Sequence, residues 1–335
     1  MRFSPYHLTT DPNIVVDGSG NDHTVLTLSH WPKSGTPEAL KADTSAEIAF
    51  RYLGSPEHHV ACDVVTNNHF DQDGLVGVFI VMDPATAIRY RDLLIDVASA
   101  GDFGVFRSRD AVRISFAISS LADPETSTFP KRIFSLPYPE MAAELYTRML
   151  PLLPELLTDL RRFEPLWETE DAKLRESEEL LENGSITIEE QRDLDLAVVR
   201  IPSDLAASRV HRFAFSATSE CHPLAIFNRT PCARILLMQG QRVEFQYRYE
   251  SWVQFVSRSL APRIDLTPLA EELNLEEGSG GRWTFDGVSE ITPRFYLDGA
   301  HGSSIPADEV RRRIERRLKT GPPAWDPYDP PKTRC

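Results

Sequence analysis

The sequence predicts a two-domain α/β protein, and three observations carry that expectation. At 335 residues the chain exceeds what one hydrophobic core comfortably fills. Its N-terminal half alternates short β-rich runs, polar loops and helical stretches, the rhythm of a mostly parallel sheet. Its C-terminal half breaks into a series of short strands, as in a smaller mixed α/β domain. The expected division places an α/β domain at residues 1–160, a charged helical connector at 161–192, a second domain at 193–320 and a flexible tail at 321–335.

The elements follow in order. Asn13 to Val16 is an apolar run ending in Asp17-Gly18, and Thr24 to Ser29 is an alternating run ending in His30-Trp31-Pro32. Asp43 to Leu53 opens with a capping pattern, Asp43 or Thr44 followed by Glu47, and continues as an amphipathic helix. Val60 to Thr66 reads as a third strand that runs into Asn67-Asn68-His69-Phe70-Asp71-Gln72-Asp73-Gly74, with an apolar helix from Leu75 to Met82 behind it. Pro84 to Ala100 reads as one helix ending at Gly101-Asp102-Phe103. From Tyr138 to Asn183 the chain is helical, and Glu168 to Glu182 is polar enough for a solvated connector. Ser185 to Asp195 reads as a short capped helix, and Leu196 to Ile201 as a strand. Further strands are expected at Ala225–Asn228, Ala233–Gln239, Val243–Tyr249 and Trp252–Ser257.

Composition narrows the function. Hydrophobic residues make up 41% and charged residues 26%, enough for packed cores under a polar surface. A net charge of −14 disfavours long nucleic acids and anionic membranes, whose affinity rests on clustered Lys and Arg. No run approaches membrane-spanning length and no leader is evident, so a cytoplasmic location is expected. Cys62, Cys221, Cys232 and Cys335 form no CxxC pair and read as small hydrophobes or idle thiols.

The densest polar stretch is His69-x-Asp71-x-Asp73-Gly74. Alternate residues of an extended chain point one way, so His69, Asp71 and Asp73 converge at a strand end. One imidazole with two carboxylates suits Mn²⁺ or Mg²⁺ better than a thiolate site would. The plainer reading is a polar loop whose aspartates cap the next helix. Against it stand further donors at neighbouring element ends, Asp17, His30, Asp43 and Asp102. Together they suffice for one or two ions that activate water and clamp a phosphoryl group. In α/β sheets such a site belongs at the C-terminal strand ends.

His69-Phe70-Asp71-Gln72-Asp73-Gly74 resembles the HxDxDG first motif of the DHH phosphoesterase superfamily, manganese-dependent phosphodiesterases and pyrophosphatases that include oligoribonucleases. Asp102 is similar to the lone Asp of its second motif. Ser257-Arg258-Ser259, then Asp265-Leu266-Thr267-Pro268-Leu269-Ala270, then Gly280-Gly281-Arg282-Trp283 resemble the associated C-terminal substrate domain, with its S-x-R-S strand, V-D-x-S-x-x-A and GGGH turn. The chain also departs from the pattern. No Asp-His-His follows Asp102; the nearest analogue lies upstream, Ser29-His30-Trp31-Pro32 and then Asp43-Thr44-Ser45-Ala46-Glu47, as in a circular permutant. The glycine turn lacks its His, for which His301 is the substitute.

The resemblance implies a metal-dependent phosphoesterase acting between two domains on a small phosphorylated molecule or short oligonucleotide. It implies His69, Asp71, Asp73, Asp102 and His30 as metal ligands, with His30 and Asp73 catalytic. Ser257, Arg258, Gly280, Gly281, Arg282 and His301 are implied for substrate binding. The Trp at position 31 leaves open a catalytically idle nucleotide-binding relative. A homodimer is expected on base rate alone. The run Arg311 to Arg317 reads as a solvated helix face, and Tyr247, Tyr249 and Trp252 as sheet core.

Overall fold

The computed structural model describes residues 1–212 and 215–328, and its chain divides into two compact units that do not follow chain order. The first unit comprises Met1–Arg175 and Ser208–Asn228; the second comprises Glu176–Ala207 and Arg229–Cys335. The chain therefore passes from one unit to the other three times, where a single charged connector at 161–192 was expected.

In the first unit the chain forms β1 (Arg2–Phe3), β2 (Asn13–Val16), β3 (Thr24–Leu28), α1 (Ser45–Leu53), β4 (Val64–Thr66) and α2 (Gln72–Met82). Then come α3 (Pro84–Arg89), α4 (Arg91–Asp102), α5 (Arg109–Ala122), α6 (Tyr138–Met149), α7 (Leu153–Thr158) and α8 (Glu164–Glu182), which runs on into the second unit. The four strands lie in the order β1-β4-β2-β3, all parallel. Strands β2 and β4 are buried along their whole length, which is why they read as unbroken Ile/Val runs. Helix α1 starts where Thr44 caps it, its side chain accepting from Glu47 N–H. Helix α2 is buried from Gln72 to Val81, and Gly77 lets it approach the sheet: a Cβ there would meet Val16 Cγ1 at 2.5 Å. The expected single helix over 84–100 is two, because Tyr90 leaves the helical region with ψ 22°.

The second unit contributes β5 (Thr187–Gln191) and β6 (Leu196–Ile201) before the chain returns to the first unit as β7 (Ser208–Arg212), β8 (Phe215–Ser219) and α9 (Pro223–Phe227). It then completes the second unit with β9 (Arg234–Gln239), β10 (Arg242–Tyr247), β11 (Arg263–Ile264), α10 (Thr267–Asn274), β12 (Arg282–Phe285), β13 (Arg294–Asp298), α11 (Ala307–Thr320) and β14 (Pro323–Trp325). The six-stranded sheet, ordered β12-β13-β10-β9-β6-β5, is mixed; only β6 and β9 run parallel. Leu236, Phe245, Trp283 and Phe295 of this sheet pack with Leu269 and Leu273 of α10 and Val310 and Ile314 of α11.

Four expectations change here. Residues 187–191 form a strand, because antiparallel pairing with β6 outweighs a local capping pattern. Residues 223–227 form a helix, with His222 capping through Leu224 N–H and Pro223 in the first turn. Residues 252–257 form no strand; a 3₁₀ turn over Tyr249–Ser251 precedes them. Of the expected tail, Pro323–Trp325 pairs with β11, and residues 329–335 lie outside the described residues. Among the described residues no helix is long and apolar enough to cross a membrane.

The returning segment is fastened to α8 by the Glu170 carboxylate and by Lys173, which donates to Arg209 O. Glu170, buried, accepts from His211 N–H (2.6 Å), His211 Nδ1 (3.0 Å) and His222 Nε2 (3.0 Å). The other ring nitrogen of His211 lies 2.9 Å from Asp123 Oδ2, to which Arg209 also donates. With a carboxylate on each nitrogen the ring is held as imidazolium: burial pushes its pKa down, but Glu170 and Asp123 raise it above the usual value.

Candidate metal centre

The site grows from the ends of three parallel strands. Strand β2 ends at Val16, and Asp17 turns the chain with φ +54°, a left-handed conformation that is costly outside glycine. The turn is held by Asp17 N–H donating to Leu28 O at 2.9 Å. Strand β3 delivers His30 two residues past its end, and β4 leads through Asn67 to His69 and Asp71. Asp73 sits in the first turn of α2, and Asp102 is the last residue of α4.

These residues fall into two groups that share Asp17. In the first, Asp17, His30, Asp73 and Asp102 each offer a donor atom within 4.8 Å of the others, and all four residues are buried. His30 Nε2 lies 3.4 Å from Asp17 Oδ1, 3.4 Å from Asp102 Oδ2 and 3.9 Å from Asp73 Oδ2. In the second, partly exposed group, His69 Nε2 lies 3.2 Å from Asp17 Oδ2 and 2.9 Å from Asp71 Oδ2.

Each ligand is held by a different device. His30 Nδ1 stands 2.5 Å from the backbone carbonyl of Asp43, which can only accept, so the neutral ring keeps its proton there and turns the Nε2 lone pair to the carboxylates. Burial holds the pKa of His30 below its ordinary value. Asp73 accepts the first amides of α1, Ser45 N–H at 2.6 Å and Ala46 N–H at 2.7 Å, an anion at a helix N-terminus. Even so, burial and the charges of Asp17 and Asp71 push its carboxyl well above the usual range. Asp17, which also accepts from Ser45 Oγ at 2.8 Å, is buried too, yet His69 and His30 bring it down to about 2. His69 is driven down by burial and more than restored by Asp71 and Asp17, ending well above its ordinary value.

Asp71 also caps α2 through Gly74 N–H at 2.8 Å, so the capping reading of this aspartate is met while its other oxygen faces His69. Gly74 is needed for space: a Cβ would lie 2.3 Å from Asn67 Nδ2 and 2.6 Å from the hydroxyl of fully buried Tyr146. The Trp31 ring lies over His69, centroids 4.9 Å apart.

The arrangement fits a divalent cation. Donors around one such ion at about 2.2 Å stand roughly 3–4.4 Å apart, and the spacings above lie in that range except the 2.9 Å hydrogen bond of His69 to Asp71. Four carboxylates face two imidazoles, and no Lys or Arg ion pair reaches Asp17, Asp71 or Asp73 among the described residues. Asp17 Oδ2 is buried without a hydrogen bond.

All five expected ligands, His30, His69, Asp71, Asp73 and Asp102, are thus brought together, with Asp17 joining the groups. Asp43 enters through its carbonyl and not its carboxylate. Ser45 and Tyr146 went unnoticed in the sequence; only the capping pattern at Thr44 pointed near Ser45.

The residues expected to bind substrate all lie in the second unit, where they do not form one patch. Ser257 and Arg258 stand in the loop before β11, with the Arg258 guanidinium over Phe255 at 5.5 Å and its charge felt by Asp195 and Arg248. Gly280, Gly281 and Arg282 precede or begin β12, and His301 lines a pocket with Arg242, Glu244, Arg294 and Tyr296. By strand register these two places lie at opposite ends of the six-stranded sheet, one at the Arg248 end of β10 and the other at the Arg242 end.

The sequence profile described as Family of unknown function (DUF6687) matches residues 1–329. No curated protein and no solved structure matches the chain.

Proposed function

Since the chain belongs to DUF6687, a family that brings no activity with it, we propose from the site itself that the protein is a divalent-metal-dependent phosphoesterase for a small phosphorylated molecule or short oligonucleotide. The observation that carries the reading is the pair of donor groups sharing Asp17, in which buried carboxylates outnumber the imidazoles facing them. Like charges in a low-dielectric interior repel strongly, and a cation removes that cost. The resemblance of His69-x-Asp71-x-Asp73-Gly74 and Asp102 to DHH phosphoesterase motifs supports phosphorus as the target.

Each residue has a task that follows from its position. Asp17 holds both groups in register, one oxygen toward each. His30 and Asp73, fixed by the Asp43 carbonyl and the α1 amides, keep the inner group rigid and dry. His69 and Asp71 stand at the exposed side, where substrate would enter. Mn²⁺ or Mg²⁺ bound to these donors would supply Lewis acidity toward water and a phosphoryl oxygen.

The test is metal content of the purified protein together with hydrolysis of bis(p-nitrophenyl) phosphate and a 5′-phosphorylated dinucleotide in Mn²⁺. Bound metal, and turnover lost on chelation and in Asp71→Ala, is the expected result. Turnover that survives in Asp71→Ala without metal would overturn it. Trp31, standing where the DHH pattern has its second histidine, favours a second reading, nucleotide binding without turnover. That reading gains if short nucleotides bind and none of Mn²⁺, Mg²⁺, Co²⁺ or Zn²⁺ elicits hydrolysis.

A further inference from the structure

Among the donors of the inner group, Asp102 stands where a helix is weakest. It is the last residue of α4, and helix ends fray because their final carbonyls lack partners within the helix. A donor at such a position keeps its place only if the chain beyond it is held. The next residue, Phe103, is buried with its ring centroid 5.9 Å from that of His30, so this one helix end bears on two donors of the inner group.

The chain beyond Asp102 is held by Asn228, the C-cap of α9 and the last residue of the returning segment. Its Nδ2 donates to Gly104 O at 2.8 Å and to Leu224 O at 2.7 Å, and its Oδ1 accepts from Phe106 N–H at 3.1 Å. Two donors facing two carbonyls and an acceptor facing an amide fix the orientation of the group, and a carboxamide is the side chain that offers both. Gly104 makes the close approach possible. It takes the left-handed φ of +64° just past the end of α4, and a Cβ there would lie 2.8 Å from Phe227 Cδ2 and 3.1 Å from Leu224 Cδ1. Ser99 Oγ donates to Val105 O at 2.7 Å, so the loop is tied to its own helix on one side and to α9 on the other. Helix α9 is anchored in turn through its cap, His222, whose Nε2 lies 3.0 Å from Glu170. Asn228 itself is exposed, so core packing does not require an asparagine there.

Resting on the divalent-metal reading of the centre, we propose that Asn228 is a positioning residue for the inner group. By closing the α4–α5 loop onto the returning segment it keeps Asp102, and through Phe103 also His30, at the spacing a divalent cation requires. Full affinity for the cation then depends on the docked segment, although among the described residues neither donor group includes a member of it.

Asn228→Leu keeps the shape and removes all three bonds, while Asn228→Asp keeps the shape and turns a carboxylate on two carbonyls. Both are compared with the parent by calorimetric Mn²⁺ titration, by the EPR spectrum of bound Mn²⁺ and by amide hydrogen exchange. Ile133→Val, a buried change elsewhere in the first unit, controls for lost stability. Both Asn228 variants are expected to weaken Mn²⁺ binding about tenfold, the scale of losing a group that orients a ligand, and to alter the EPR spectrum. Asn228→Leu also speeds exchange at Phe106 N–H. Ile133→Val changes neither the affinity nor the spectrum. The proposal falls if both Asn228 variants bind Mn²⁺ as the parent does, or if Ile133→Val weakens binding as much as they do. Asn228-dependent Mn²⁺ binding without hydrolysis of any phosphate ester would sink the phosphoesterase reading and leave Asn228 in its role. Mn²⁺-dependent hydrolysis with binding indifferent to Asn228 would do the reverse.

Discussion

The first unit holds two buried clusters of histidine and carboxylate that obey opposite rules. Around Glu170 each acceptor meets a donor: two histidine rings, one backbone amide and, through Asp123, an arginine. Around Asp17, Asp73 and Asp102 the carboxylates face one another across His30. The balanced cluster completes itself on folding and needs nothing from solvent. The unbalanced one gathers negative charge that a bound cation would offset, and that contrast separates a clasp from a candidate binding site.

The largest effect expected from this contrast is catalytic. Asp17→Asn removes the charge shared by both groups, and turnover falls by ~10³-fold, with metal content reduced in parallel. Steady-state kinetics with metal analysis reads it, and an Asp17→Asn enzyme with parental activity would erase the distinction between the clusters. Next comes Glu170→Gln, which leaves buried His222 without its charged acceptor and His211 with Asp123 alone. It costs about 3 kcal/mol, read as a fall in denaturant midpoint that Mn²⁺ does not repair. If added Mn²⁺ restores the variant fully, the two clusters are not independent.

The third prediction sets the clusters against pH. Asp73 and His69 have folded pKa values raised above their unfolded 3.8 and 6.5, so in metal-free protein they bind protons more tightly when folded. Metal-free stability therefore rises as pH falls toward 6.5 through the range in which folded His69 takes its proton, and His211 of the clasp adds in the same direction. Mn²⁺ competes with those protons, so the stabilisation it confers shrinks over the same range. The Glu170 carboxyl, driven far below 4.5 against its burial by His211 and His222, contributes stability above the unfolded value that is lost as pH falls through the folded one. Thermal melts in both metal states across pH 2–8 separate the two trends, the Glu170 loss appearing only below about pH 5. The smallest effect is Thr44→Ala, which removes the cap of the helix whose amides hold Asp73 and costs about 1 kcal/mol, with a slightly weaker Mn²⁺ response.

The sequence disclosed one of these clusters and hid the other. His69, Asp71 and Asp73 lie within five residues, strand-end reasoning brings Asp17 and His30 to the same edge, and Asp102 was noticed at a helix end. That Asp17 joins the groups depends on the strand order β4-β2-β3, a non-local fact absent from any window. Glu170 looked like one acid among many in a charged helix, and its partners are 41 and 52 residues away. Local misreadings have a similar source. Ala225-Ile226-Phe227 is too short to show a helical period, and the edge strand Thr187–Gln191, with one apolar residue in five, lacks the apolar alternation that marks a half-buried strand.

The dependence of Glu170 on His211 and His222 also imposes an order on synthesis. When residue 175 has been made, the first unit possesses every donor of the candidate centre but not the segment whose His211 and His222 bind Glu170 of α8. About 50 further residues must be translated before Asn228 completes the unit, which at ordinary elongation speed is a wait of about 3–10 s. During that interval Glu170 and Asp123 belong to an unfinished surface, so the nascent chain is most exposed to misassembly and proteolysis after its chemistry is encoded and before its clasp has emerged.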